Sequence, residues 1–539
     1  MRLLPLLLCT LLGACVRSPE PSHSNKIVAR FALASELPSF SPLNPGQSTY
    51  QVLQRQIFET LTEYQPDAFP FRIKPLLAER WTTSTDGLTW NFFIREDAEF
   101  YDPWPTPLWP SRRHPLTAHD VMASWSLQKE QGQGGWAIQE IVQEMTVVDD
   151  HQVQITLHHP DAHLLEKLAS AYFAVFPVHA LRLSRRPFSR FPIGSGPYFL
   201  KEGIPGHEAV FEKTPEWRTS IVGPDEIRFT AMLEGSTRTL LFQQGKLDRL
   251  SPGQDAFASM LPGGILDPSW SEEGFRTQTI TMPDLTMFSF QMNDAVVGNI
   301  PGDRKGNAQR KKIRHAIALA FPYERWHRIL RNDLWAVPAK AFLPPSLPSA
   351  QNIPDCSWRK TDLAQAKALL AEAGFPEGKG LPTLTFELAG ADSLTRTQGD
   401  LVVNALQAIE IRCVAVPNTW SAFQEKARQG KAQLFSRGWT LDWADASNLL
   451  FLFSSQEIGS LNLNFFSDET YDRLLKELPE QSPQDQQETL QKLISILNEE
   501  LPAIPIDHRQ GWAVLGPRVI EMPIHPFDPY ACKYYRLKP

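Results

Sequence analysis

Three hydrophobic patterns follow one another along the chain. The first is an apolar run at residues 3–12 (LLPLLLCTLL), preceded by Met1 and Arg2. A bilayer span needs roughly 18 apolar residues, and this run is about half that and carries Pro5. It predicts a cleaved signal peptide, residues 1–14, rather than a permanent anchor. The second pattern is made of short strand-type runs, at 27–33, 88–94 and 152–157. The third is helical spacing, at 50–64, 118–131, 162–172 and 236–244, and more plainly at 310–330, 363–373 and 483–499. Within 310–330 the apolar positions Ile313, Ile317, Phe321, Ile329 and Leu330 are interrupted by Pro322. Asp362 stands where an N-cap belongs, and Gly374 where a C-cap glycine belongs. Further strands are predicted at 383–388 and 411–416. Strands and helices alternate without a strict period and without repeats, which predicts a mixed α/β fold in more than one lobe.

The residues behind the apolar run bear on where the chain works. Leu12-Gly13-Ala14-Cys15 resembles the bacterial lipobox, in which small residues admit a peptidase and the cysteine thiol receives diacylglycerol. The resemblance implies lipid attachment at Cys15; two or more acyl chains hold a protein stably to a membrane. Residues 16–25 (VRSPEPSHSN) are polar and proline-rich and suit a tether, which is placed at 15–24. The expected location is the cell envelope, lipid-anchored outside the cytoplasmic membrane, and the periplasm if the cell is Gram-negative.

Composition narrows the class. A chain of 539 residues is too long for one hydrophobic core, so two or three domains are expected. The formal charge of −7 gives no electrostatic reason to bind nucleic acid. With Cys9 removed and Cys15 acylated, Cys356, Cys413 and Cys532 remain. They allow one disulfide at most and fit neither a disulfide framework nor a zinc site. The 15 tryptophans are candidates for core positions and for the walls of a ligand cleft. No Gly-x-Ser-x-Gly elbow and no His-Glu-x-x-His occurs, and residues 374–379 (GFPEGK) are one residue short of a Walker loop. These motifs give no catalytic residue, no cofactor and no metal.

Several motifs, taken in order, carry a family resemblance. They are Gln56-Ile57-Phe58-Glu59-Thr60-Leu61, Pro75-Leu76-Leu77-Ala78-Glu79-Arg80-Trp81, Leu88-Thr89-Trp90-Asn91-Phe92 and Pro115-Leu116-Thr117-Ala118-His119-Asp120-Val121. Gly194-Ser195-Gly196-Pro197-Tyr198, then 311–320 (KKIRHAIALA) and 362–378 (DLAQAKALLAEAGFPEG), follow. Over most of residues 50–510 the chain resembles the family 5 extracellular solute-binding proteins, the peptide, dipeptide and nickel binders of ABC importers. The resemblance implies a bilobal periplasmic-binding-protein fold of the class II type, with an extra inserted domain and a ligand cleft between hinged lobes. The first lobe would comprise 25–66, 191–285 and 508–539, the inserted small domain 67–190, and the second lobe 286–507. His158, His159 and His163 cluster near Asp161. The resemblance puts them at a strand–proline–helix junction, where those positions are polar surface.

The same resemblance points to 436–451 (SRGWTLDWADASNLLF) as the ligand segment. In the family's peptide binders an aspartate three residues after the tryptophan of Gly-Trp pairs with the ligand's α-amino group, and Asp442 holds that place after Gly438-Trp439. A buried ammonium needs a carboxylate partner, and charge-assisted bonds are short and directional. Gly438, Trp439 and Thr440 would hold the peptide backbone as an added strand, and Trp439 and Trp443 are candidate cleft walls. Arg437 is one position away from the family's carboxylate-binding arginine. It is a candidate for the ligand's C-terminus or for a structural salt bridge. The partners implied are short peptides, the permease subunits of an ABC transporter, and the membrane through the lipid anchor, with the protein a monomer. The alternative is a surface lipoprotein or sensor on the same scaffold that binds haem, a sugar or a modified peptide. The insert 101–115 (YDPWPTPLWPSRRHP) reads as a rigid loop, as surface decoration first and as a cover for the cleft or a partner contact second.

Overall fold

A single long strand, Ala503–Leu515, joins the two halves of the molecule. The computed structural model describes residues 26–37, 39–44, 48–68, 71–107, 110–183, 187–219, 221–481, 483–528 and 530–539. The expected signal peptide, Cys15 and the tether lie outside them. The first part of Ala503–Leu515 pairs antiparallel with Asp284–Phe290, and its last part pairs antiparallel with Arg276–Thr281. Those two partners are consecutive in the chain, with Met282 and Pro283 between them, and Met282 N donates to Arg509 O at 2.8 Å. Pro283 has no N–H, so the ladder is interrupted there. Two antiparallel segments thus cross side by side from one half to the other.

Among the described residues this sheet has twelve strands. On one side of the crossing lie Arg249–Leu250, Val28–Leu33, Glu226–Ala231, Glu208–Lys213 and Tyr198–Ile204, in that order. On the other lie Asp284–Phe290, Leu434–Thr440, Leu384–Leu388 and Cys413–Pro417. Parallel and antiparallel pairs are mixed: Val28–Leu33 runs parallel to Glu226–Ala231, and Leu384–Leu388 parallel to Cys413–Pro417. A separate antiparallel sheet holds Ala78–Thr83, Thr89–Ile94, Gln152–Leu157 and Val142–Asp149, with the helix Ala118–Gln131 packed on it through the fully buried Trp125. The fold is the expected mixed α/β, two-lobed type. No helix among the described residues is long and apolar enough to cross a membrane.

Local signals mostly act as expected. Pro322 separates the helices Arg304–Ala320 and Tyr323–Arg331. The Asp362 side chain accepts from Gln365 N, and Gly374 adopts φ +91 after the helix Leu363–Glu372. Two helices are shorter than their periodicity predicts: the 162–172 run is α-helical only over Leu164–Leu168, and the 50–64 run only over Ser48–Ile57, after which Thr62–Tyr64 is a strand paired with Ile73–Pro75. For the 50–64 run the cause is tertiary. Gly196 N donates to Ile57 O at 2.7 Å and closes the helix end. A Cβ on Gly196 would sit 2.5 Å from both Gln56 O and Ile57 O, and one on Gly194 would sit 2.1 Å from Ile57 O. The Gly-Ser-Gly-Pro-Tyr motif is therefore a close backbone approach that only glycine permits.

Three further expectations meet the structure. Cys356, Cys413 and Cys532 are all free thiols. The 101–115 insert is anchored: Glu99–Tyr101 pairs with Arg113–Pro115, and Trp104 packs edge-on against Phe191 at 5.2 Å. His158 and His159 are exposed, as the resemblance puts them, whereas His163 is half-buried and the Asp161 side chain, 9% exposed, bonds Lys167. Gly196→Ala should lower stability by roughly 1–3 kcal/mol, because the added methyl must push helix backbone aside. Urea unfolding checks this, and an unchanged midpoint would contradict it.

Candidate ligand site

The strand Leu434–Thr440 pairs along its whole length with Asp284–Phe290. On its other edge it pairs with Leu384–Leu388 only at Leu434 and Phe435. From Ser436 to Thr440 that edge has no strand partner among the described residues, so its backbone groups are free to receive an added strand. Gly438 is exposed, and a Cβ there would meet only Leu285 O, at 3.7 Å. Trp439 packs edge-on against Phe451 at 5.8 Å, while its indole nitrogen and the Ser436 hydroxyl are buried without hydrogen-bond partners. Thr440 turns its hydroxyl to Arg509 (2.9 Å).

Arg437 is half-buried on this strand. Its Nη1 donates to Leu461 O at 2.9 Å, and no carboxylate among the described residues pairs with it. Burial alone pulls its pKa down to about 10, so the guanidinium is still charged at neutral pH. The salt-bridge alternative for Arg437 is not seen, and a charge held this way favours an anion.

The loop after the strand is tied down residue by residue. Leu441 N donates to Pro283 O, next to the crossing strands, and Asp442 N donates to the buried Asn448 Oδ1 at 2.8 Å. The Tyr172 hydroxyl donates to Asp442 Oδ1 at 3.1 Å. No cation among the described residues pairs with Asp442. Burial raises its pKa to about 6, against the opposing pull of Tyr172 and the Asn448 side chain. Trp443 is buried against Trp136 (5.7 Å between centroids) and belongs to the core of the first lobe and small sheet. Tyr64 and Ala169 in turn pack into the second lobe's core. Ala444 N donates to the Tyr64 hydroxyl at 3.1 Å. Asp445 lies 3.6 Å from Lys167, which also bonds Asp161 at 2.7 Å. Burial would raise the Asp445 pKa, but His163 and Lys167 hold it below the usual carboxylate range. Burial would lower that of His163, yet Asp445, Glu166 and Asp161 raise it to about 9.

All six predicted binding residues thus lie on one strand and the turn that follows it. Asp442, Arg437 and Trp439 have unmet polar capacity. Thr440 spends its hydroxyl on Arg509, and Trp443 is core as much as wall. Sequence reasoning missed Tyr172, Trp136, Tyr64, Asn448, Lys167 and Asp445. Only Asp445 and Asn448 fall inside the singled-out segment; the other four reach it from far away in the chain.

The bacterial extracellular solute-binding protein family 5 (middle) model matches residues 72–460, and the chain belongs to that family. Among the relatives, it is 24% identical to heme-binding protein A of Haemophilus influenzae, over 89% of this chain and 87% of that one. It is 25% identical to the probable di/tripeptide-binding protein 5 of Pseudomonas aeruginosa, over 90% of each. The solved structure of HbpA2 from Haemophilus parasuis superposes with a TM-score of 0.80 at 21% identity, covering 95% of this chain and 100% of that one. The family's name sets its members outside the cytoplasm, and these relatives are solute-binding proteins.

Asp442→Asn should stabilise the ligand-free protein at pH 7.5. A carboxyl whose folded pKa lies above its unfolded value loses stability as pH rises past the unfolded value and stays destabilised above the folded one. The gain should be on the order of 1–3 kcal/mol at pH 7.5 and vanish near pH 3. Urea midpoints at the two pH values check it; a loss at pH 7.5 would contradict the burial of an ionised Asp442.

Proposed function

We propose that this chain is the extracytoplasmic receptor of an ABC-type importer, that it captures short peptides between its lobes, and that it hands them to the permease. The observation that carries the reading is the pairing of an open strand edge, Ser436–Thr440, with a cation-free buried carboxylate, Asp442, just past its end. The ligand's α-ammonium sits on Asp442, its backbone adds to the edge beside Gly438 to Thr440, and an anionic group, the C-terminal carboxylate of a short peptide, reaches Arg437. Trp439 and Trp443 wall the space. Backbone hydrogen bonds ignore side-chain identity, which suits a receptor for many sequences. The peptide-binding relatives support the ligand class, and the haem-binding relative makes haem the ligand to run beside it.

In this reading the closing units are those expected from the sequence: 25–66 with 191–285 and 508–539, the inserted 67–190, and 286–507. The crossing at Met282-Pro283 and Gln510 is the hinge. Cys15 carries the lipid that keeps a monomeric receptor beside its permease. No step is covalent: the protein binds, closes and releases.

Calorimetric titration of residues 25–539 with a pool of tri- to pentapeptides, its N-acetylated copy and haemin tests the reading. Free peptides should bind, and acetylation should weaken binding roughly thirtyfold or more, as loss of one member of a buried charge pair does. Affinity should peak between pH 6 and 8. Below about 6 it should fall about tenfold per pH unit as Asp442 protonates, and above about 8 it should fall as the peptide amine loses its proton. Equal binding of both pools, or binding of haemin alone, would overturn it.

A further inference from the structure

The four residues Asp442-Trp443-Ala444-Asp445 are each gripped by a residue far away in the chain. Tyr172 holds the first, Trp136 the second, Tyr64 the third and Lys167 the fourth. The strongest of these grips is ionic. The side chains of Lys167, Asp161 and Asp445 are 9%, 9% and 6% exposed, so the ammonium is shared by two buried carboxylates, one on its own segment and one across the interface. The Lys167 ammonium also stands 5.7 Å over the Trp443 ring, which lies between Asp442 and Asp445. The other charged groups facing this cluster are Glu140, His163 and Glu166. His163 Nδ1 lies 3.8 Å from Glu166. Within the loop, Asp445 accepts from Ser447 N at 2.9 Å, and Asn448 accepts from Asp442 N. A pull on Asp445 is therefore passed to the backbone of Asp442 through one short turn.

We infer that Lys167 is the positioning residue of the ligand site: by pinning Asp445 and Trp443 it fixes where, and how deeply buried, the Asp442 carboxylate is presented. Lys167 does not touch the ligand. It acts through the loop, and so ties the loop that meets the ligand's charge to the small domain. The inference rests on the peptide reading for its consequence but not for its geometry.

The test uses residues 25–539 with Lys167→Met and Asp445→Asn. The second variant breaks only the grip across the interface and leaves Lys167 paired with Asp161. Hydrogen exchange of the ligand-free proteins should be roughly tenfold or more faster over 441–450 in both variants, with Ala118–Gln131 unchanged. For trialanine, affinity at pH 7.5 should fall roughly tenfold or more, mainly through faster dissociation. The acid limb of binding should also move from about 6 toward about 4 as Asp442 regains water. A purely structural lysine would not shift that limb. Unchanged exchange over 441–450, or faster exchange with unchanged affinity and limb, would overturn the inference. If wild type fails to bind trialanine, the peptide reading falls. The exchange rates and the Asp442 carboxyl titration, followed by NMR, then decide the positioning role alone.

Discussion

A carboxylate taken partly out of water without a cation beside it is a costly arrangement, and Asp442 is held in it. Its side chain meets a phenol and an amide but no lysine or arginine, and its pKa rises accordingly. A few residues upstream, half-buried Arg437 meets a backbone carbonyl and no carboxylate among the described residues. Neither is paired with the other among the described residues. A ligand bearing a positive and a negative end satisfies both.

The twin crossing strands place Leu441 against Pro283, so the ligand loop begins where the lobes join. The two cores exchange side chains, Trp443 one way and Tyr64 with Ala169 the other. Association of the lobes is thus partly apolar and partly ionic. The ionic part falls on Asp445, in the same turn as Asp442.

Much of this was legible in the sequence because it is local. Cap residues, the Pro322 break, strand alternation and the Gly-Trp-x-x-Asp segment are written within a few positions of where they act. The failures are tertiary. Nothing near 50–64 announces that Gly194 and Gly196, over a hundred residues on, will end its helix. His163 and Asp161 look like solvated polar residues until a loop 270 or more positions away covers them. Tyr172 and Trp136 were unremarkable aromatics for the same reason. A charged residue's environment is set by its neighbours in space, and one sequence read alone lists only its neighbours in the chain.

The central claim is that Asp442 waits, half-buried and without a paired cation, for a ligand ammonium. Carbon-detected NMR titration of its side-chain carboxyl, in protein labelled at aspartate and assigned with Asp442→Asn, addresses it directly. The account predicts a midpoint near 6 without ligand and a fall of one to three units, the effect of an adjacent cation, once a saturating free-amine tripeptide is present. A midpoint near 4 in the ligand-free protein, or one near 6 that the tripeptide leaves in place, would contradict it.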